Sequence, residues 1–300
     1  MVPQSYLKRF AEKNANNNEY HIGVRNKGRA GIQLFIQAVN NIAYVDNYYD
    51  VSTREDSKYW ERFFSSNIEP FYGEPLNSII SKITLQMLDQ SIISPDDKLL
   101  LSRIICFQLM RVPAFLDEYI EKGKNHGKEV LKHLCELFPG MLPEGFSKEC
   151  SDSYIKGLSK DITLGAISDE KWLTEFSGVL AARPWCIYFN NTGIPFVTSD
   201  NPVLMLNLAS RSFEYEISGI YRNDNILFFP LSSKVMIQLF PNGIIGDSVR
   251  ELDRRRIQLR DKDVKFVIDS NVLQMEHSTK QAYMEPKYLE AIMAKEDSPK

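Results

Sequence analysis

Apolar and polar positions along the chain fall into three textures. Over residues 1–50 the apolar ones come in short alternating pieces, His21–Val24 and Gln33–Ile36, cut by polar turns such as EKNANNNE and RNKGRAG. Period-two alternation predicts strands, and Asn14–Asn18 predicts an exposed loop. An aromatic cluster follows at Tyr44–Tyr49.

From about residue 52 to 183 the period becomes helical. Ser94-Pro95-Asp96-Asp97 is a helix start: a Ser N-cap, Pro at the first position, then acids where the helix dipole favours them. Behind it Leu99, Leu101, Ile104, Ile105, Phe107, Leu109 and Met110 make a helix apolar around much of its circumference, as a central helix should be. Pro113 should end or kink it near Arg111–Val112. An earlier helix is predicted over Glu74–Asp89, with Leu76, Ile79, Ile80, Ile83 and Met87 on one face. Ser168-Asp169-Glu170-Lys171 opens another, running to about Ala182 with Trp172, Phe176 and Val179 inward.

Residues 184–270 are strand-rich. PWCIYFNNTGIPFVTS reads as a hairpin turning at Asn190–Gly193, and further strands are expected at Phe213–Ile217, Ile226–Phe229 and Lys234–Phe240. Residues 261–270 fit helix or strand equally. The expected architecture is α+β: a helical middle region (about 52–183) packed against a mainly antiparallel sheet formed by N-terminal and C-terminal strands. It forms one domain over residues 1–280, and residues 281–300 form a terminal helix and frayed tail. No βαβ alternation favours a doubly wound sheet.

Composition narrows the function. The chain has 300 residues, a formal net charge of −3 and a pI near 5.9, so no global field draws it to nucleic acid or an anionic membrane. Nucleic acid stays open through a local patch, Arg254-Arg255-Arg256, which reads as a solvated face or as a grip on phosphates. Cys106, Cys135, Cys150 and Cys186 form no CxxC pair and read as reduced, buried thiols of a cytoplasmic protein. His126 and His133 read as solvated. The apolar run ILFFPL falls far short of the ~20 residues that span a bilayer. The P-loop, GxGxxG, GxSxG, kinase and EF-hand signatures are all missing. Any activity must therefore rest on residues gathered from distant segments.

One such gathering point is GIPFVTSDNPVLML, residues 193–206. Its apolar run stops on Thr198, Ser199, Asp200 and Asn201 before resuming. Polar residues at the end of a core strand stand on a rigid base where sites are often built; Asp-Asn-Pro is equally good turn chemistry. Gln108 and Arg111, three apart on the apolar helix, share a face. A buried Arg needs an anionic partner. That partner is either Asp200 or Glu69 in an internal salt bridge, or a bound phosphate or carboxylate. Tyr6 is a core aromatic that could offer a hydroxyl.

VPQSYLKRFA, NIEPFYGEPLNSII, IICFQLMRVPAF, PWCIYFNNTGIPFVTSDNPV and FFPLSSKVMIQL together resemble the domain-of-unknown-function family numbered 4238. The resemblance spans about residues 1–270. It implies no established activity; it implies that the polar residues of these segments form a shared kernel. The family pattern carries His-Tyr or His-Phe just before the Val-Pro pair, where this chain has Met1. Either translation starts upstream or this member lacks that histidine.

Two readings follow. In the first, the chain is a metal-dependent hydrolase of nuclease or phosphodiesterase type: Glu69 and Asp200 hold Mg²⁺ or Mn²⁺, and Gln108 and Arg111 position a phosphate. In the second, the same set is a buried polar network of a non-catalytic module that binds a partner or an anionic, phosphate-bearing ligand. Thr198, Ser199, Asn201 and Tyr6 are local partners in both.

Overall fold

Strand order in two sheets decides which distant residues meet. The computed structural model describes residues 2–15, 18–28, 31–42, 47–85, 91–137 and 148–296. The chain opens with α1 (Gln4–Leu7), β1 (Glu12–Lys13), β2 (Tyr20–Gly28) and β3 (Gly31–Ala38). The helical middle follows as α2 (Tyr59–Asn67), α3 (Glu74–Leu85), α4 (Pro95–Arg111), α5 (Pro113–Leu137), α6 (Lys148–Ile167) and α7 (Glu170–Ala181). Next come β4 (Trp185–Asn190), β5 (Thr198–Ser199), β6 (Leu204–Asn207), β7 (Ser212–Glu214), β8 (Asn225–Ser232) and β9 (Val235–Leu239). The chain closes with α8 (Ile244–Val249), β10 (Arg255–Leu259), α9 (Val264–Glu276), β11 (Gln281–Met284) and α10 (Pro286–Glu296).

The architecture is α+β. The first sheet runs β1-β2-β11-β5 with β3 also on β2, joining strands from both ends of the chain. The second runs β10-β4-β9-β8-β6-β7 and is antiparallel except for β10 beside β4. One apolar core unites them with the helices, from Tyr6, Leu7 and Phe10 through Leu101, Ile104 and Phe107 to Phe229, Val235 and Ile237.

Local signals in α4 act as expected. Ser94 Oγ accepts from Asp97 N–H while the Asp97 carboxylate accepts from Ser94 N–H, a reciprocal cap. The helix stops at Arg111, with Val112 extended before Pro113. Leu99 alone of the predicted apolar set is exposed. The expected helix from Glu74 is described to Leu85, and Met87 lies outside the described residues.

Several expectations are corrected. The hairpin over 184–199 does not form: β4 is paired on both edges, by β9 and β10, leaving no edge for the following segment. That segment crosses to the first sheet, where β5 pairs with β11. The helix opening at Ser168–Lys171 forms as expected, as α7, with Asp169 as its cap accepting from Lys171 and Trp172 N–H. The inward positions are then Leu173, Phe176, Ser177 and Leu180, and Trp172 is half exposed, stacked on Phe176. Residues 264–276 are helix. Residues 281–284, expected as part of a terminal tail, form a buried strand between β2 and β5. Among the described residues no single helix is long and apolar enough to cross a membrane.

Candidate functional site

Because α4 stops at Pro113, its last residue turns into the junction of the helices. Arg111 is 1% exposed. Its Nε donates to Tyr49 Oη at 3.0 Å, and Nη2 reaches Glu69 Oε1 at 3.5 Å. The guanidinium lies 4.7 Å from the Phe64 ring centre and 5.4 Å from that of Tyr49, within cation–π range. Burial opposes the charge, but Tyr49, Tyr72 and Glu69 outweigh it and raise the Arg111 pKa above its usual value. Beside Glu69, on α2, stands Glu61. Burial and then repulsion from Glu69 raise the Glu61 carboxyl above its ordinary value, Asp50 adding to the effect and Arg111 opposing it.

One turn back along α4, Gln108 is buried on the same face. Its Oε1 accepts from Tyr72 Oη at 3.2 Å, while Gln108 Nε2 has no hydrogen-bond partner among the described residues. Tyr72 meets Tyr6 edge to face at 6.4 Å. Tyr6 donates to the Pro230 carbonyl at 2.5 Å, so the 2.7 Å contact with Thr198 Oγ1 is donated by the threonine. A line of contacts thus runs Thr198–Tyr6–Tyr72–Gln108, and Glu69 and Tyr49 close it around Arg111. Tyr6, Thr198, Gln108, Arg111 and Glu69, read separately from the sequence, share this network.

Asp200 lies elsewhere. Its carboxylate accepts the N–H groups of Thr279 (2.7 Å), Lys280 (2.7 Å) and Gln281 (3.0 Å), and its own N–H donates to the Gln281 carbonyl at 2.9 Å. It clasps the approach to β11. Burial raises its carboxyl above the usual range against the pull of the three donors. The internal partner of Arg111 is therefore Glu69 and not Asp200. Asp200 acts on Lys27 and Tyr283, whereas Glu69 acts on Arg111, Glu61, Tyr49 and Tyr72. Among the described residues no group of three or more His, Cys, Asp or Glu is placed to hold a metal ion.

Ser199 and Asn201 belong with α9. Ser199 Oγ donates to Gln274 Oε1 at 2.9 Å and accepts from Asn201 N–H at 3.2 Å; Asn201 Nδ2 donates to the His277 carbonyl at 3.3 Å. Gln274 Nε2 donates to Pro202 O; Asn271 Oδ1 accepts from Val197 N–H and Asn271 Nδ2 donates to Pro195 O. Two carboxamides on α9 thus satisfy backbone that has no strand partner there. Sequence reasoning passed over them, although Asn271 and Gln274 show the same i,i+3 spacing as Gln108 and Arg111. It also passed over Arg183, 2% exposed, which donates to the carbonyls of Asn225, Ile220 and Arg222. Burial lowers the Arg183 pKa to about 10. Its signal was a lone charge in LAARPWC.

The basic run is no common surface. Arg256 folds over Phe189 and donates to the Ile83 carbonyl, while Arg254 adopts a left-handed backbone and pairs with Asp253. Cys106 and Cys186 are buried free thiols, and burial raises the Cys186 pKa to about 11. The Cys135 and Cys150 side chains lie outside the described residues, and His126 and His133 are exposed.

Comparison with known proteins adds one result. No curated protein and no solved structure matches the chain. The family model described as Protein of unknown function (DUF4238) matches residues 1–288, nearly the whole length, so the chain belongs to the DUF4238 family.

Proposed function

We propose that this chain is a non-catalytic binding protein whose polar kernel serves as an internal frame, with ligand contact made where that frame reaches solvent. The observation that carries this reading is Asp200, whose carboxylate oxygens already accept three backbone N–H groups. A carboxylate so occupied has little capacity left to bind a metal. Tyr6, Gln108, Thr198, Ser199 and Asn201 are likewise buried and bonded within the fold, which supports a framing role. A thermal-shift screen against anionic and phosphate-bearing small molecules tests the reading, run beside a hydrolysis assay with Mg²⁺ or Mn²⁺ over DNA, RNA and dinucleotides. Saturable stabilisation without turnover is expected. Turnover that disappears in folded Asp200→Ala protein would overturn it.

Glu61 favours a second reading, a metal-dependent hydrolase of nuclease or phosphodiesterase type with Glu61 in the place first given to Asp200. Burial first, and repulsion from Glu69 second, raise the Glu61 carboxyl; two carboxylates that repel each other are receptive to a cation. Mg²⁺ is commonly held by one or two carboxylates plus substrate phosphates. Here Glu61→Gln and Glu69→Gln would each abolish Mg²⁺-dependent turnover, and Asp200→Ala would reduce stability only.

A further inference from the structure

Beside the turn that carries Tyr49 lies a cleft of about 520 Å³, bordered by α5, α6 and residues 47 and 48. Its walls are Asn47, Tyr48, Asp117, Ile120, Glu121, Lys156 and Lys160. That volume matches pockets that take small metabolites, roughly 300–1,000 Å³. None of these residues belongs to the polar set read from the sequence.

The charges in the cleft are unequally satisfied. Asp117 accepts from Tyr48 Oη at 3.2 Å. Glu121 is bonded by Lys124 at 3.0 Å and lies 3.6 Å from Lys156. Lys160 differs: its Nζ donates to the Asp50 carbonyl at 2.7 Å and stands 5.8 Å from the centre of the Tyr48 ring. Among the described residues no carboxylate lies within 4 Å of it, so a partly desolvated ammonium keeps donors for an anion. Burial opposes its charge while Asp50 and Asp117, beyond ion-pair distance, favour it and Lys156 opposes it; an oxyanion bonded directly to the ammonium offsets the cost of burial. Asn47 adopts a left-handed backbone with φ 58°, which asparagine tolerates, and its carbonyl accepts Asp50 N–H. That turn places Tyr48 toward the cleft residues and Tyr49 against Arg111.

We propose that this cleft binds a small organic oxyanion, a phosphate monoester or a carboxylate, with Lys160 as the principal contact and Lys156 as the second. The proposal gives the binding reading a place and a ligand class, and rests on that reading.

Isothermal titration of the full chain with glycerol phosphate, inorganic phosphate and citrate tests it, the three arms separating phosphate from carboxylate. At least one probe is expected to saturate. Lys160→Met should weaken it at least tenfold, Lys156→Met about threefold, and Glu121→Gln should tighten it by removing a like charge. Lys265→Met, on exposed α9 surface, should match the parent. Unchanged affinity in both cleft lysine variants, with native melting profiles, would sink the site while leaving the binding reading standing. No saturation by any probe would count against both. Should Lys160→Met fail to fold, unchanged affinity in Glu121→Gln is sufficient to reject the cleft.

Discussion

A carboxylate that gathers three backbone N–H groups from another segment acts as a staple, and Asp200 is placed to do so. Charge-assisted bonds are the stronger class, each worth about 1.5–3 kcal/mol to remove. Asp200→Ala is expected to cost at least about 2 kcal/mol in urea unfolding, and Asp200→Asn less, because the amide keeps one acceptor oxygen. A loss under about 0.5 kcal/mol for the alanine variant would show the staple to be incidental. Arg183 makes the converse case, a buried cation donating to three carbonyls. Arg183→Met keeps the volume but strands the carbonyls of Ile220, Arg222 and Asn225. At least about 4 kcal/mol of lost stability is expected, because these bonds too are charge-assisted at about 1.5 kcal/mol or more each, read from the same denaturation midpoints.

At the scale of elements, α4 shows how local chemistry becomes pH dependence. Lys82 Nζ reaches both oxygens of Asp97 at 2.9 Å, and the Ser94–Asp97 box closes the first turn. Burial raises the Asp97 carboxyl, but Lys82 and the Ser94 bonds win and hold it below its usual 3.8. A depressed acid contributes stability that is present above the unfolded value and lost as pH falls through the folded one. Asp97→Asn should therefore lower stability at pH 7 and flatten its loss below about pH 4. Urea midpoints at pH 3 and 7 check this, and an acid limb as steep as the parent's would refute it. Such devices are legible because Ser-Pro-Asp-Asp and Pro113 act on their own neighbours. The failed hairpin was not legible, since what forbids it is the occupation of both β4 edges by strands from residues 235–239 and 255–259. In the same way Gln108 and Arg111 stand out as polar groups on an apolar helix, but Tyr6 meets Thr198 across 192 residues. Nothing local in either segment announces that pairing.

Over the whole molecule, the last segments are stitched into the first. β11 lies between β2 and β5 with Tyr283 fully buried, and Val197, Ala282, Met284 and Leu289 make their own apolar cluster. Gly23 on β2 belongs to the same junction: a Cβ there would stand 2.8 Å from that of Leu289, so only glycine lets α10 approach so closely. The Asp200 staple holds the loop just before β11, and Tyr6 and Thr198 tie the start of the chain to β5. Both ends of the chain thus support the sheet on which the Arg111 network rests. A chain ending at residue 280 would leave β2 and β5 with unpaired edges, Asp200 without its two Gln281 bonds, and Val197 without Ala282, Met284 and Leu289. It should lose cooperative thermal unfolding and near-UV dichroism. A cooperative melt at the parent temperature for the shorter chain would show that β11 is an ornament on a sheet already complete.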